Sequence, residues 1–176
     1  VIQSIEFKKF LPIGSIECVI KNLNRWQADE ILILSIDRSK NKLGPNLQIL
    51  SKIKKLSVHT PIIYGGGISS AHDAKEVISL GADRIILENV VQNDFKNFIK
   101  ISETIGAQSI ILSMPLSISK GTLLFYNYKI RKEEKINNNF YEAMEKNLFS
   151  ELLIIDYKNQ GLMKGFNEQL LKKFNK

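Results

Sequence analysis

The chain has 176 residues, enough for one domain with a real core. Hydrophobic residues make up 44% and charged residues 24%, an ordinary globular balance; no apolar run reaches membrane-spanning length, and no secretory signal peptide is visible. Net charge is +7 and the pI is near 9.4, but the lysines are spread along the chain with no basic block interleaved with aromatics, so solvated helix faces explain the charge better than a nucleic-acid partner.

A basic balance also suits phosphorylated small substrates and acidic protein partners. The single cysteine, Cys18, rules out an internal disulfide framework and fits a reducing cytoplasm. His59 and His72 lack metal-ligand spacing and read as surface or turn residues. No metal and no other cofactor is expected.

Taken in order, SIECVIKNLNRW (15–26) reads as a helix and EILILSI (30–36) as a strand. NLQILSKIKKL (46–56) follows Gly-Pro and has Asn46 as its N-cap. PIIYG (61–65) is a strand, and AHDAKEVISLG (71–81) is a helix that ends on a capping glycine. RIILE (84–88) is a strand, and NDFKNFIKISETIG (93–106) again ends on glycine. QSIILSM (108–114) is a strand, TLLFYNYKIRK (122–132) a small inserted hairpin, NNNFYEAMEKNLF (137–149) a helix capped by asparagines, and ELLIID (151–156) a strand. The five strand runs are rich in β-branched residues and lack one-sided alternation, which predicts burial on both faces of a parallel sheet. The fold class is therefore α/β.

One stretch needs a reason of its own. PIIYGGGISS (61–70) runs a strand into three glycines, each of which costs backbone entropy on folding. Either the run is a tight strand-to-helix turn, or its backbone lies against a ligand, often a phosphate.

There is also an internal echo. EILILSIDRSKNKLGPNLQILSK (30–52) aligns without gaps to ELLIIDYKNQGLMKGFNEQLLKK (151–173), with about a third of positions identical. The matches include Glu30/Glu151, Gly44/Gly165, Asn46/Asn167 and Gln48/Gln169. Two strand–loop–helix units of one layout suggest a duplicated half-barrel.

In order, DEILILSID, TPIIYGGGISS, SLGADRIILEN, IGAQSIILS and SELLIID…NQGLMKGFN resemble the cyclase subunit of imidazole glycerol phosphate synthase, a (βα)8 barrel. The likeness covers nearly the whole chain. VIQSIEFKKFLPIG is similar to a divergent branch of that family, found in surface-sugar gene clusters beside a sugar amidotransferase. The resemblance implies a single partial barrel domain over 1–176, carrying the family's strands two to six, with strands one, seven and eight outside it. Since unclosed barrel edges are a pairing liability, the natural protein is expected to be longer.

The resemblance also implies site residues. Gly65, Gly66, Gly67 and Asn89 fall where the family cradles one phosphate of its substrate. Glu88 stands beside them, where a carboxylate would repel a phosphate unless it points away. The family's cyclase chemistry uses two aspartates as general acid and base. One lies outside this chain, and the position of the other is Pro115, which has no proton to move. Asp37 is the remaining candidate, two residues beyond Ser35 and on the same strand face if the strand continues. Near the end of the family's sixth strand only Asp156 is acidic. At the opposite end, Glu30, Arg84 and Glu151 match a charged ring through which ammonia enters, and Asp83 and Gln108 match positions that face the glutaminase partner.

Acid–base chemistry at the top is thus eroded, while the charged floor is kept. The expected function is that of a HisF-like subunit, docking a glutaminase and passing ammonia to an acceptor in surface-sugar amidination. The alternatives are a cyclase of histidine biosynthesis and an inactive barrel remnant. The expected setting is cytoplasmic, with a phosphorylated small molecule as a further ligand and no membrane partner.

Overall fold

A computed structural model of the chain describes residues 1–5 and 8–174. The N-terminal residues form an antiparallel hairpin of β1 (Ile2–Ile5) and β2 (Lys9–Pro12). Then strand and helix alternate: α1 (Ile16–Arg25), β3 (Ile31–Leu34), α2 (Leu47–Lys54), β4 (Ile62–Gly65), α3 (Ala71–Ser79), β5 (Arg84–Leu87), α4 (Asn89–Asn93), α5 (Phe95–Ile105) and β6 (Ile110–Ser119). A meander of β7 (Thr122–Asn127) and β8 (Lys132–Lys135) comes next, followed by α6 (Asn138–Glu145), β9 (Glu151–Asp156) and the short α7 (Gln169–Lys172). Strands β3, β4, β5, β6 and β9 pair side by side, all parallel. This is the curled, parallel-dominated half of a (βα)8 barrel.

The caps explain where the helices begin. Ser15, Asn46 and Ser70 each accept a bond from the backbone N–H three residues on. Ser70 and Asp73 close a reciprocal capping box. Asn137 was expected to cap α6, but it makes no such bond; its Nδ2 donates to the carbonyl of Gln92 instead and ties α6 to α4. The expected helix over 93–106 becomes two pieces, because Asp94 leaves helical geometry and its side chain caps α5.

Helices cover the outer face of the sheet. Tyr64, Ile85, Leu87, Ile110 and Leu112 are fully buried there against Phe98, Ile101 and Val77. Each such side chain contributes about 1.5–3 kcal/mol of burial. The inner face carries a smaller apolar layer of Ile63, Ile86 and Ile111, with Leu153 packed against it. Burial on both faces thus holds for the central strands. It fails for β3, an edge strand, where Ile31 and Ile33 are buried but Leu32 and Leu34 are 43% and 45% exposed.

Strand β6 explains the meander. Its first half lies between β5 and β9; its last residues, Leu116–Ser119, pair antiparallel with β7. Lys120 and Gly121 join them with φ of +48° and +76°, the geometry of a two-residue hairpin turn that follows strand twist. The hairpin over 122–132 is the middle of this three-stranded unit.

The echo persists in the backbone. With the same spacing, Lys42 and Met163 both take positive φ, and so do Gly44 and Gly165. Asn46 Oδ1 accepts from Ile49 N, and Asn167 Oδ1 accepts from Gln169 N. In both units the asparagine N–H is then held by an oxygen at a strand, Tyr64 Oη in one and Asp156 Oδ2 in the other.

Candidate functional site

Along β5, alternate residues face the lumen, so Arg84, Ile86 and Glu88 stand one above another. Arg84 lies at the floor. Its Nη2 donates to Glu30 and its Nη1 to Glu151, bridging residues that flank β3 and open β9. The Arg84 side chain is only 18% exposed, against 38% and 56% for the two carboxylates. The hydrogen bond with Glu151, and then that with Glu30, raise the arginine's pKa and hold its charge. Three positions 54 and 67 residues apart in sequence therefore meet as one cation between two anions. Ion pairs this close to solvent contribute little stability each.

Asp83 and Gln108 are both exposed beside that floor, at the N-terminal ends of β5 and β6. Asp83 is partly engaged, since its Oδ2 accepts from Ile62 N at 2.8 Å.

Above the apolar layer, the C-terminal ends of the strands open into a cavity of about 370 Å³. Its wall includes Leu34, Ile86, Pro115 and Ile155; its polar groups include Ser35, Asp37, Glu88, Asn89 and Ser113. The strand that should carry Asp37 ends at Leu34, so alternation does not place it. A turn brings it to the exposed rim instead. Pro115 lies in β6 opposite Ile155 and offers no acid.

The glycine run has a structural reason. A Cβ on Gly66 would meet the carbonyl of Ser35 at 2.2 Å, and one on Gly67 the carbonyl of Gly44 at 2.1 Å. Both take positive φ. The run packs backbone on backbone against the loop after β3, which Arg38 clamps by donating to the carbonyls of Leu43, Gly44 and Pro45. Gly67 N donates to Ser39 Oγ at 2.9 Å, and Asn89 Nδ2 donates to Tyr128 Oη at 2.5 Å. Two donors that the sequence offered to a phosphate are thus engaged within the protein.

Glu88 was the residue that sequence reasoning counted against a ligand. It does not point away. It lines the cavity, half-buried as a residue, with Oε1 shielded from solvent and without a hydrogen-bond partner. Desolvation pushes its pKa up to about 8, against a weaker opposing pull from Lys129 and from Ser113. At neutral pH it is largely an uncharged acid, so the repulsion expected of it is mostly absent. A carboxylic residue at a strand end facing the lumen was the signal available in the sequence.

Among the described residues, no three His, Cys, Asp or Glu side chains gather as a metal site, and no helix is long and apolar enough to cross a membrane.

The relatives agree with the architecture. The family model described as histidine biosynthesis protein matches residues 1–176. A Vibrio vulnificus (strain YJ016) protein, provisionally named imidazole glycerol phosphate synthase subunit hisF2, is 28% identical over 98% of this chain, which spans 63% of that protein's length. A Campylobacter jejuni protein with the same provisional name is 29% identical over 98% of this chain and 68% of its own length. The imidazole glycerol phosphate synthase subunit HisF of Chlorobaculum parvum is 25% identical over 99% of this chain and 70% of its own. The match along the full chain, on a half-barrel with its strands in the expected order, makes this chain a divergent, HisF-like member of the histidine biosynthesis protein family.

Proposed function

We propose that this chain acts as the barrel subunit of a two-protein assembly, docking a glutaminase at its floor and passing ammonia through the lumen to an acceptor. The observation that carries the reading is the Glu30–Arg84–Glu151 bridge. It sits under an apolar layer of Ile63, Ile86 and Ile111, which offers a small neutral molecule such as ammonia no competing hydrogen bonds. Asp83 and Gln108 are exposed beside it, as a partner-facing surface requires. The word subunit in the relatives' names supports an assembly. Pro115 weighs against cyclase chemistry in this chain, so the acceptor is taken to be held by another protein, a sugar amidotransferase. The assembly would work in the cytoplasm.

The test is reconstitution. Mixed with a glutaminase of this family, the protein should form a stable complex and stimulate glutamine hydrolysis. Arg84→Ala should keep the complex but lose the coupling of hydrolysis to ammonia transfer, because Glu30 and Glu151 would then face each other without their cation. A variant that couples as well as the unmodified protein would remove the gate from the reading, and absence of any complex would remove the reading itself.

A further inference from the structure

The carboxyl of Glu88 has a cavity in front of it and a hydrogen-bonding need that the protein does not meet. Its Oε1 is buried and finds no donor among the described residues. Ser113 and Lys129 are the neighbours that favour its charged form, and among the described residues none pairs with it as a salt bridge. Leu34, Ile86, Pro115 and Ile155 give the cavity an apolar side, and Ser35, Asn89, Ser113 and Tyr128 are among its uncharged polar groups. The cations of the cavity, Lys40 and Arg131, are exposed residues on loops and not at this depth.

A group that entered here would be matched by N–H donors and a positive charge. A phosphate brings negative charge, which an ionising Glu88 repels, and it can accept from the carboxyl only while that group is protonated. Two donors at this end of the sheet, Gly67 N and Asn89 Nδ2, already serve Ser39 and Tyr128. We propose that the cavity at the C-terminal ends of the strands binds the protonated nitrogen of an alkylammonium or amidinium compound, with Glu88 as its carboxylate and the apolar wall around its carbon chain. A buried carboxylate with a matched cation is the arrangement that offsets its own desolvation.

Burial holds the empty-handed Glu88 in its neutral form up to about pH 8. A cation must therefore displace a proton from it. Lys129, from the turn of the meander, pulls the other way; the Tyr128 hydroxyl beside it and the carboxylate of Asp37 on the rim complete its titrating surroundings, with Lys40 and Arg131 further out. Affinity for a fixed cation should rise about tenfold between pH 6 and pH 7 and level off above pH 8. This inference does not rest on the glutaminase reading, because it is measured on the protein alone.

The probe is n-butylammonium, which stays protonated across this range, with butyrate and inorganic phosphate as anionic counterparts. Binding is followed by amide chemical shifts at Glu88, Asn89 and Ser113 in the purified protein. Saturable shifts with n-butylammonium alone, about tenfold tighter at pH 7 than at pH 6 and at least tenfold weaker in Glu88→Gln, are expected. Equal binding in Glu88→Gln, no saturable binding, or tighter binding of butyrate or phosphate would each overturn the proposal. Should Glu88→Gln fail to fold, the pH series on the unmodified protein decides: a tenfold rise supports the assignment and a flat profile sinks it.

Discussion

Asn89 Nδ2 donates to the hydroxyl of Tyr128 at 2.5 Å, which fastens the turn of the meander to the end of β5. Burial, reinforced by the neighbouring Glu88, pushes the tyrosine up to about 12, so the phenol stays protonated at any ordinary pH. Tyr128→Phe removes the acceptor and leaves a part-buried amide without its partner. The expected cost is about 1–2 kcal/mol. The amides of β7 and β8 should exchange faster with solvent while those of β4 and β5 do not change. Unaltered exchange in the meander would mean that the backbone ladder of β6, β7 and β8 holds it without this bond.

Two glycines of like conformation should tolerate alanine very differently. Gly67 and Gly121 have φ of +79° and +76°, so alanine is strained at either, by roughly 1–2 kcal/mol. At Gly121 nothing lies within 4 Å of the added Cβ. At Gly67 the Cβ would lie 2.1 Å from a carbonyl oxygen and 2.4 Å from its carbon, both backbone atoms of Gly44 that cannot swing aside. Gly67→Ala should therefore lower Tm well beyond Gly121→Ala. Equal shifts in thermal unfolding would show that the loop after β3 yields freely.

The base of the meander is held by charge. Glu133 accepts from Ser117 at 2.5 Å and from Tyr157, and pairs with Lys158 at 2.8 Å. The Lys158 hydrogen bond first, then those from Ser117 and Tyr157, hold the Glu133 carboxyl down near 2. A lowered folded-state pKa gives stability that is full above the ordinary value of 4.5 and disappears as pH falls through about 2. Acidification from pH 5 to pH 2 should loosen the stacked Tyr126 and Tyr157, whose ring centroids lie 4.3 Å apart. Near-UV circular dichroism reads that stack. Glu133→Gln should flatten the acid dependence, and a variant as acid-sensitive as the unmodified protein would place the loss elsewhere.

The order of strands and helices was legible because each element carries a local signal. Ser15, Asn46 and Ser70 announce caps that depend only on residues three positions away. The floor was legible only through the resemblance, since nothing local links Glu30, Arg84 and Glu151; curling of the sheet brings them together. What stayed hidden depends on distance or on environment. Asn137 reads as a cap, and only the placement of Gln92 reveals its other partner. The glycine run reads as a ligand loop, yet the atoms that forbid side chains there belong to Ser35 and Gly44. Glu88 reads as a charge, and only burial in the folded cavity makes it a neutral acid.

That burial has a consequence for stability which does not depend on any ligand. A carboxyl whose folded-state pKa is raised contributes stability below its unfolded value of 4.5 and loses it as pH rises through about 8. Above that range the fold carries a buried carboxylate without an ion pair. At about 1.4 kcal/mol per pKa unit the loss is several kcal/mol, an upper bound because water entry relieves part of it. Glu88→Gln keeps the shape and the neutral form and has nothing to ionise. Urea unfolding at pH 4, 7 and 9 should therefore give two curves that lie close at pH 4 and diverge upward, with the variant the more stable at pH 9. Parallel curves would mean that Glu88 ionises as freely in the folded protein as in the unfolded chain, and the cavity would then be far wetter around it than its shielded Oε1 implies.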